Sequence, residues 1–431
     1  MSVTANRDFR RLWAGQGVSQ IGSQISILAL PLAALQVLHA SAFEVSVLNA
    51  AQIVPFLLIG LPAGVWVDRM ARRPVLITTD LARAVVLLTV PLAYAFDALT
   101  LGHLYLVAFL QGVATVFFDV AYQSYLPDVV AKEDLTEGNA KLELARAASQ
   151  LLGPSAGGWL IAAVRAPLAL CADALSFLYS AFMLWRIPPE RETRTRPAAT
   201  ARPGWTTLWK EVGEGLTFVR RHRLLAPIAG VAGLLNFSYG MVSAILTTYA
   251  VRELGFSASR LGTVMALGAV GFVVGAAAAK RVSQRLGTGP SIVLGALLNG
   301  VGPLLVPAAP RSAAEAVITC GLFVQWCGVV LFNVNQISLR QAVTPRNLMG
   351  RMNATIRFVV WGTLPLGSVC AGGLAAAVGL HPALWVSAAV GSLAFLGVLF
   401  SAVRRAGTRT SPLPPPADEG AAAEADSPAE R

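Results

Sequence analysis

The sequence predicts an all-α membrane protein with twelve transmembrane helices in two parallel six-helix repeats, and three observations lead to this fold class. Of the 431 residues, 55% are hydrophobic and only 13% are charged, which is too apolar for a soluble globular protein. The apolar segments are about 20 residues long and lack the alternation of a barrel strand. Sequence features also recur with a period near 213 residues, as expected for a duplicated helical unit.

The twelve spans follow from segment length, because a helix of roughly 20 apolar residues crosses the bilayer and satisfies its own backbone hydrogen bonds. The first segment has no small-residue cleavage site, so we interpret it as helix 1 rather than as a signal peptide. The predicted spans are 12–38, 44–67, 74–96, 101–123, 142–164, 167–185, 224–250, 258–279, 290–308, 316–338, 352–379 and 381–403.

The distribution of basic residues predicts the orientation in the membrane. Of the 34 Lys and Arg residues, 27 fall on the side of the N-terminus, four fall on the other side and three lie within spans. Basic residues concentrate in cytoplasmic loops, so we expect both termini in the cytoplasm and the chain in a bacterial inner membrane. Topology therefore accounts for the net charge of +11, and no nucleic-acid partner is expected.

Composition also excludes several kinds of site. The chain has no phosphate-binding loop and only four lysines, which disfavours an ATP-driven pump. The four histidines lie at loops or helix ends, and none pairs with a serine in a catalytic pattern. We therefore expect no enzyme activity, no catalytic residue, no metal and no cofactor. Four cysteines inside apolar segments form no C-x-x-C pair and are interpreted as packing residues: Cys171, Cys320, Cys327 and Cys370.

The domain organisation follows from the spans and loops. The longest loop opens with a Pro- and Arg-rich linker and continues into Trp209, Val212, Leu216 and Val219 at helical spacing, which predicts an amphipathic helix at the membrane surface. The tail is rich in Pro, Ala and acids and cannot bury a core. The expected domains are an N-terminal six-helix bundle (1–185), a cytoplasmic linker (186–223), a C-terminal six-helix bundle (224–403) and a disordered cytoplasmic tail (404–431).

The internal repeat aligns the two halves of the chain with two single-residue insertions in the second copy. An even number of helices in each copy gives both copies the same orientation. Gln123, Leu126, Leu135, Asn139 and Gly157-Gly158 correspond to Gln336, Leu339, Leu348, Asn353 and Gly372-Gly373.

The turn after helix 2, from Gly64 to Arg73, contains an acid among three arginines. It resembles the G-x-x-x-D-R-x-G-R-R signature of the major facilitator superfamily, with Ala71 in place of the second glycine. The resemblance implies that Asp68 contacts the start of helix 11. It also implies that Arg72 pairs with an acid at the cytoplasmic end of helix 4, where Asp119 stands. These contacts would close the cytoplasmic side; the alternative is that the arginines, including Arg69, only anchor the topology.

Helix 5 carries the string Gly153-Pro154-Ser155-Ala156-Gly157-Gly158. Proline removes a backbone hydrogen bond, and glycines on one face allow another helix to approach closely. The string matches the G-P-x-x-G-G core associated with exporters of the same superfamily. The alternative interpretation is a generic packing patch of small residues.

Three further stretches resemble the branch of the superfamily that contains macrolide efflux proteins and the enterobactin exporter. They are the start Phe9-Arg10-Arg11-Leu12-Trp13, the run from Phe118 to Pro127, and Asp173-Ala174-Leu175-Ser176-Phe177. The resemblance extends almost to residue 403. One departure concerns the R-x-x-Q-G motif of proton-coupled drug exporters, because Ala108 replaces its arginine in helix 4.

Charged residues inside the membrane are costly and are therefore functional candidates. Asp80 and Arg83 lie three residues apart on helix 3 and can neutralise each other. Asp80 and Asp119 are the candidates for proton coupling. Asp119 with Glu143 and Arg146 is interpreted as a gate network, and Asp173 is expected at the outer interface. The gating and motif candidates are Gly64, Asp68, Arg69, Arg72, Arg73, Asp119, Arg146, Gly153, Pro154, Gly157 and Gly158.

Polar and aromatic side chains at helical spacing are candidates for a central substrate cavity with a neutral lining, although each could instead join two helices by a hydrogen bond. Such a lining suits a bulky amphipathic compound better than a small anion. The candidates are Gln20, Gln24, Asn49, Gln52, Asn236, Tyr239, Gln325, Asn333 and Trp361.

The sequence thus predicts a monomeric secondary transporter that exports a hydrophobic or amphipathic small molecule, such as an antibiotic, a secondary metabolite or a siderophore. Alternating access driven by proton antiport is the expected mechanism. The alternative is a facilitator-fold protein without vectorial transport, such as a lipid scramblase or a membrane sensor.

Overall fold

The computed structural model describes residues 3–67, 70–131, 134–188, 213, 216–344 and 349–406, which contain helices and no β-strand. Helices α1 to α12 follow the order of the predicted spans. The chain runs through α1 (Arg7–Gln36), α2 (Ala42–Val67), α3 (Arg72–Ala95), α4 (Leu101–Val129), α5 (Leu135–Val164), α6 (Ala166–Trp185), α7 (Leu225–Arg252), α8 (Ala258–Leu286), α9 (Thr288–Val301), α10 (Ala314–Val343), α11 (Met349–Val378), α12 (Leu380–Ala394) and a last turn, α13 (Leu396–Leu399).

Eleven segments in the described part of the chain are long and apolar enough to cross a membrane. Helix α5 is not among these eleven segments, because it is less apolar than the others. Its first half carries charged residues, and its second half contains the glycine string. Its 30 residues nevertheless exceed the length that a bilayer requires. The prediction of an all-α, twelve-helix membrane protein is therefore confirmed.

Several helices extend beyond the spans predicted from hydropathy. Helix α4 continues to Val129 and α5 begins at Leu135, because polar residues at a membrane surface can prolong a helix whose apolar part has ended. Helix α9 ends at Val301 and continues as a 3-10 turn.

Two short connections repeat between the halves of the chain. Arg165 alone joins α5 to α6 with φ 72°, and Gly379 alone joins α11 to α12 with φ 92°. A positive φ costs glycine nothing and strains an arginine. Both connections join the fifth helix of a half to its sixth.

The contacts divide the chain into two compact units. Unit 1 comprises Met1–Arg202, Met241–Ala269 and Ser368–Leu384, and unit 2 comprises Pro203–Gly240, Val270–Gly367 and Trp385–Arg431. Unit 1 therefore includes parts of α7, α8, α11 and α12 besides the first six helices. The domain boundaries predicted from the sequence follow the order of the chain and stay a prediction.

Within unit 1, α1 packs against α5 and α6, α3 against α4 and α6, and α2 against α4. The start of α1 is fixed twice, because Asn6 accepts hydrogen bonds from the backbone of Asp8 and Phe9 and donates to the carbonyl of Val129. One asparagine thus caps the beginning of α1 and the end of α4, which orients the two helices.

Within unit 2, α9 packs against α10, and the backbone of Gly289 donates a hydrogen bond to the carbonyl of Ala406. Of the predicted amphipathic helix, Trp209 and Val212 lie outside the described residues. A helical stretch covers 216–221. Val219 is buried there among residues of α7 and α11, whereas Leu216 is exposed. The predicted tail lies outside the described residues beyond 406.

Candidate functional site

We call the end of unit 1 at which α1 and α3 begin the basic side. At this end, Arg72 forms an ion pair with the largely buried Asp128, with 2.8 Å between Nη1 and Oδ2. The resemblance placed the partner at Asp119, so that residue assignment is corrected. The reason is the length of α4, which continues nine residues past Asp119 before the carboxyl that meets Arg72. Asp68 and Arg69 of the same motif lie outside the described residues.

Two further arginines on the basic side bind the end of α6. Arg73 donates to the carbonyls of Leu184 and Trp185 at 3.1 and 2.6 Å, and Arg11 donates to the carbonyl of Arg186 at 2.8 Å. The last carbonyls of a helix have no partner within the helix and carry partial negative charge. The arginines therefore do more than mark topology, because they hold α1, α3 and α6 together at their ends. Gly64 is half-buried and faces open space.

The pair Arg72–Asp128 is testable by a double-mutant cycle. We expect Arg72→Gln and Asp128→Asn each to destabilise the protein, with a coupling energy of about 1 to 2 kcal/mol, because Asp128 is largely buried and Arg72 is partly exposed. The measurement is unfolding in detergent of the wild type, both single variants and the double variant. The matched cycle of Arg72→Gln with Asp119→Asn should give a smaller coupling energy, and a larger one would contradict the assignment to Asp128.

The predicted gate network is present in part. Arg146 pairs with Glu143 at 2.7 Å on the exposed surface of α5. Asp119 is half-buried on α4, and Asp119 and Glu143 both interact electrostatically with Tyr122. An exposed pair three residues apart contributes little to stability. The network therefore stays a prediction.

The glycine string on α5 provides two contact faces within unit 1. On one face, a Cβ at Gly153 would collide with Gln24 of α1, and a Cβ at Gly157 would lie 3.1 Å from the Cα of Ile25. On the other face, a Cβ at Gly158 would collide with the carbonyl oxygen of Ala258 in α8. A Cβ at Gly262 of α8 would in turn collide with the carbonyl oxygen of Pro154.

The α5–α8 contact joins two backbones, and the repeat copy of the string on α11 makes a close contact with a side chain. A Cβ at Gly372 would lie 2.6 Å from the Cβ of Ser46 in α2, whereas a Cβ at Gly373 would meet nothing within 4 Å. Close helix approach in membranes depends on such small residues. The string is thus a specific contact rather than a loose patch, and its repeat copy in α11 uses the first of its two glycines for the same purpose.

The expected cavity residues differ in exposure. In unit 1, Gln24 covers Gly153 and thus contributes to the contact of α1 and α5. In unit 2, Gln325 is only 4% exposed and its backbone lies against Gly302, so its assignment to an open cavity is corrected. Gln20, Asn49, Gln52 and Asn236 are half-buried, and Tyr239, Asn333 and Trp361 are exposed.

In unit 2, the predicted Tyr239 belongs to an aromatic group whose other members, Trp326 and Phe272, were not predicted from the sequence. Tyr239 of α7 meets Trp326 of α10 edge to face at 6.3 Å between ring centroids, and Phe272 of α8 meets the same tryptophan at 6.4 Å. Trp326 directly follows Gln325, which was already a predicted cavity residue. Its position next to that residue was the sequence feature from which it could have been found. The exposed Tyr239 gives this cluster an accessible aromatic edge.

A buried charge cluster lies among α1, α3, α4 and α6 of unit 1. Its centre is the ion pair of Asp80 and Arg83 on α3, whose side chains are 0% and 6% exposed. The guanidinium lies between the rings of Phe118 and Phe177, 4.1 and 4.3 Å from their centroids. Two aromatic faces stabilise a cation that water does not reach. We define the buried charge cluster as Ser26, Asp80, Arg83, Gln111, Asp173, Ser176 and Ser180, all of them buried.

Asp173 belongs to this cluster and not to the outer interface where the sequence analysis expected it. It is 2% exposed on α6. It accepts a hydrogen bond from Ser26 of α1, and the hydroxyl of Ser176 lies 3.1 Å from its Oδ1 and 2.7 Å from its backbone carbonyl oxygen. A Cβ at Gly22 would collide with Ser176, so α1 approaches α6 closely at this point. Hydropathy could not show that this aspartate faces the bundle.

The cluster also explains the motif in helix 4 that lacks its arginine. Gln111 donates to the backbone carbonyl of Arg83 at 2.7 Å, and Gly112 lets the carbonyl of Gln52 in α2 approach. Ala108 is fully buried. The buried guanidinium of this bundle is therefore supplied by α3 rather than by α4.

Comparisons with known proteins agree with this architecture. A family model described as Major Facilitator Superfamily matches residues 12–362 and 228–429. The chain is 25% identical over 383 residues to the multidrug efflux pump Tap of Mycolicibacterium fortuitum, covering 84% of this chain and 87% of that protein. It is 24% identical over 241 residues to macrolide efflux protein A of Streptococcus pyogenes, covering 55% and 57%.

Among solved structures, the chain resembles a bacterial homologue of the iron transporter ferroportin in an inward-facing state. The TM-score is 0.73 at 18% identity, and the match covers 93% of this chain and 99% of that chain. An identity this low shows a common fold and carries no information about substrate. The fold class and the branch resemblance predicted from the sequence are confirmed.

Proposed function

The chain belongs to the major facilitator superfamily, and from this premise we propose that it exports a hydrophobic or amphipathic small molecule by alternating access coupled to proton antiport. The relatives named as efflux pumps support efflux in general. The basic side of unit 1 would face the cytoplasm, because basic residues concentrate in cytoplasmic loops. The substrate class and the coupling to protons go beyond what these relatives support, and they are argued separately below.

The observation that carries the substrate class is the neutral character of the accessible polar side chains. The accessible members of the expected cavity set are amides and aromatic side chains, and Tyr239 adds an aromatic edge next to Trp326. Between residues 224 and 403 the only acids are Glu253 and Glu315. Aromatic edges and amides bind large apolar compounds through area and a few hydrogen bonds. A macrolide, a planar dye or an aromatic siderophore fits this chemistry.

A transport assay in inverted membrane vesicles tests both parts. We expect vesicles that contain the protein to accumulate ethidium or erythromycin when a proton gradient is imposed, because inversion turns export into uptake. Vesicles without the protein provide the control. Accumulation that persists after the gradient is collapsed would contradict proton antiport. Movement of fluorescent lipid without movement of either probe would favour a scramblase.

A further inference from the structure

The charges of the buried charge cluster do not balance when every group is ionised. The cluster contains two carboxyl groups, Asp80 and Asp173, and one guanidinium, Arg83. An uncompensated charge in a buried site within a membrane is expensive. One proton shared by the two carboxyl groups makes the cluster neutral. The neutral form of the cluster is therefore the one with a single bound proton.

The hydrogen-bond partners distinguish the two carboxyl groups. Asp80 is paired directly with Arg83 on its own helix, so its negative charge is compensated. Asp173 contacts the hydroxyls of Ser26 and Ser176. A hydroxyl can donate to a carboxylate or accept from a carboxylic acid. Asp173 thus has partners for both of its protonation states.

We propose that Asp173 is the proton carrier of this transporter and that Arg83 supplies the counter-charge. When Asp173 loses its proton, the guanidinium is shared between both aspartates; when Asp173 regains the proton, the pair with Asp80 is restored. The groups that face Asp173 are Asp80 and Arg83 from α3, Ser26 with Gly22 from α1, and Ser176 from its own helix. This inference rests on the proton antiport proposed above.

Unused hydrogen-bonding capacity around the cluster supports such an exchange. Arg83 Nε is buried and has no hydrogen-bond partner among the described residues, and the same holds for Gln16 Nε2 on α1. Buried polar groups without partners are rare and call for an explanation. A second arrangement of the ion pair, in which the Nε of Arg83 is engaged, would use this donor.

Helix α1 offers a polar face that leads to Asp173. Gln16, Ser19 and Ser26 are buried and lie near one face of the helix at positions i, i+3 and i+10. The distance from Gln16 to Ser26 along the axis is about 15 Å. This face would conduct a proton between the basic side and the cluster once water enters the unit.

The first experiment separates coupling from transport by means of Asp173→Asn in proteoliposomes. We expect gradient-driven accumulation of ethidium to fall to the background of protein-free liposomes. We also expect exchange of ethidium across the membrane without a gradient to continue. The variant mimics the permanently protonated state, which can bind and exchange substrate but cannot release a proton. A residue that is only structural would lose both activities together.

The matched control is Asp97→Asn, which removes an exposed aspartate from the α3–α4 connection. Its positive φ of 52° is compatible with asparagine. We expect gradient-driven accumulation in this variant to equal that of the wild type. Undiminished gradient-driven accumulation in Asp173→Asn would overturn the proposal.

The second experiment needs no substrate and therefore distinguishes this inference from the proposed function. Infrared difference spectra of the purified protein in lipid, recorded between acid and alkaline buffer, should contain the band of a buried protonated carboxyl group. We expect Asp173→Asn to lose that band and Asp97→Asn to keep it. A band that persists in Asp173→Asn would overturn the proposal, even if the wild type exports both probes.

A third variant covers the case in which Asp173→Asn does not fold. Ser26→Ala removes one hydroxyl that donates to the carboxylate and retains the aspartate. We expect the infrared band of the protonated carboxyl group to shift in frequency, because the group loses one hydrogen-bond partner. An unchanged frequency would contradict the assignment of the band to Asp173.

Discussion

Arg83→Gln is expected to lower the amount of folded protein in the membrane to a small fraction of the wild-type amount. The substitution leaves Asp80 buried without its cation, and breaking a buried pair in this way costs about 3 to 5 kcal/mol. It also removes the cation between the rings of Phe118 and Phe177. Such a loss is comparable to a large part of the stability of a typical protein. The measurement is the yield of monodisperse protein after detergent extraction, compared with the wild type at equal expression.

A double variant tests whether the uncompensated charge of Asp80 causes this loss of folded protein. Asp80→Leu combined with Arg83→Met removes both charges and fills the space with apolar atoms, and such replacements are often neutral or stabilising. We expect the double variant to recover most of the folded yield. A single Arg83→Gln variant that accumulates like the wild type would show that the pair does not stabilise the bundle.

Gly158→Ala is the second change with a large expected effect. The added methyl group would collide with the carbonyl oxygen of Ala258, and neither backbone can yield without moving a helix. Overpacking of this kind costs about 1 to 3 kcal/mol. We expect a lower thermal unfolding temperature in detergent and a strong reduction of ethidium uptake, because α5 and α8 lose their closest contact.

The chain provides a matched control for this change on the repeat copy of the motif. Gly373 corresponds to Gly158 in the alignment of the two halves, and a Cβ there meets nothing within 4 Å. Gly373→Ala should therefore leave unfolding and uptake unchanged. Gly262→Ala should reproduce the defect from the opposite side, and the double variant Gly158→Ala with Gly262→Ala should cost less than the sum. Equal effects of Gly158→Ala and Gly373→Ala would refute the contact.

The sequence allowed the fold to be predicted because length, hydropathy and duplication each constrain a membrane protein strongly. Asp80 and Arg83 could be paired because they are neighbours on one helix, where spacing alone sets the distance. Ser26 and Asp173 are 147 positions apart, so no spacing connects them. Asp173 was consequently assigned to the wrong environment, and the second carboxyl group of the cluster was missed.

The partner of Arg72 shows a different limit. Hydropathy locates the apolar part of a helix and not its end, so the predicted helix 4 stopped before Asp128. The arginines of the motif were identified from their pattern, but their acceptors at the end of α6 are backbone carbonyls. Every residue has a carbonyl group, so a sequence does not show which carbonyl groups accept hydrogen bonds from these arginines. Their role could be found only from the positions of the helices.

Unit 1 is built from three separate stretches of chain, and this arrangement has a consequence for its synthesis. A ribosome delivers residues in order at about 5 to 20 per second, and Ala258 follows Gly158 by about 100 residues. Every new molecule therefore has the Gly158 face of α5 without α8 for roughly 5 to 20 seconds. During synthesis the contact of α5 with α1 can therefore form before its contact with α8.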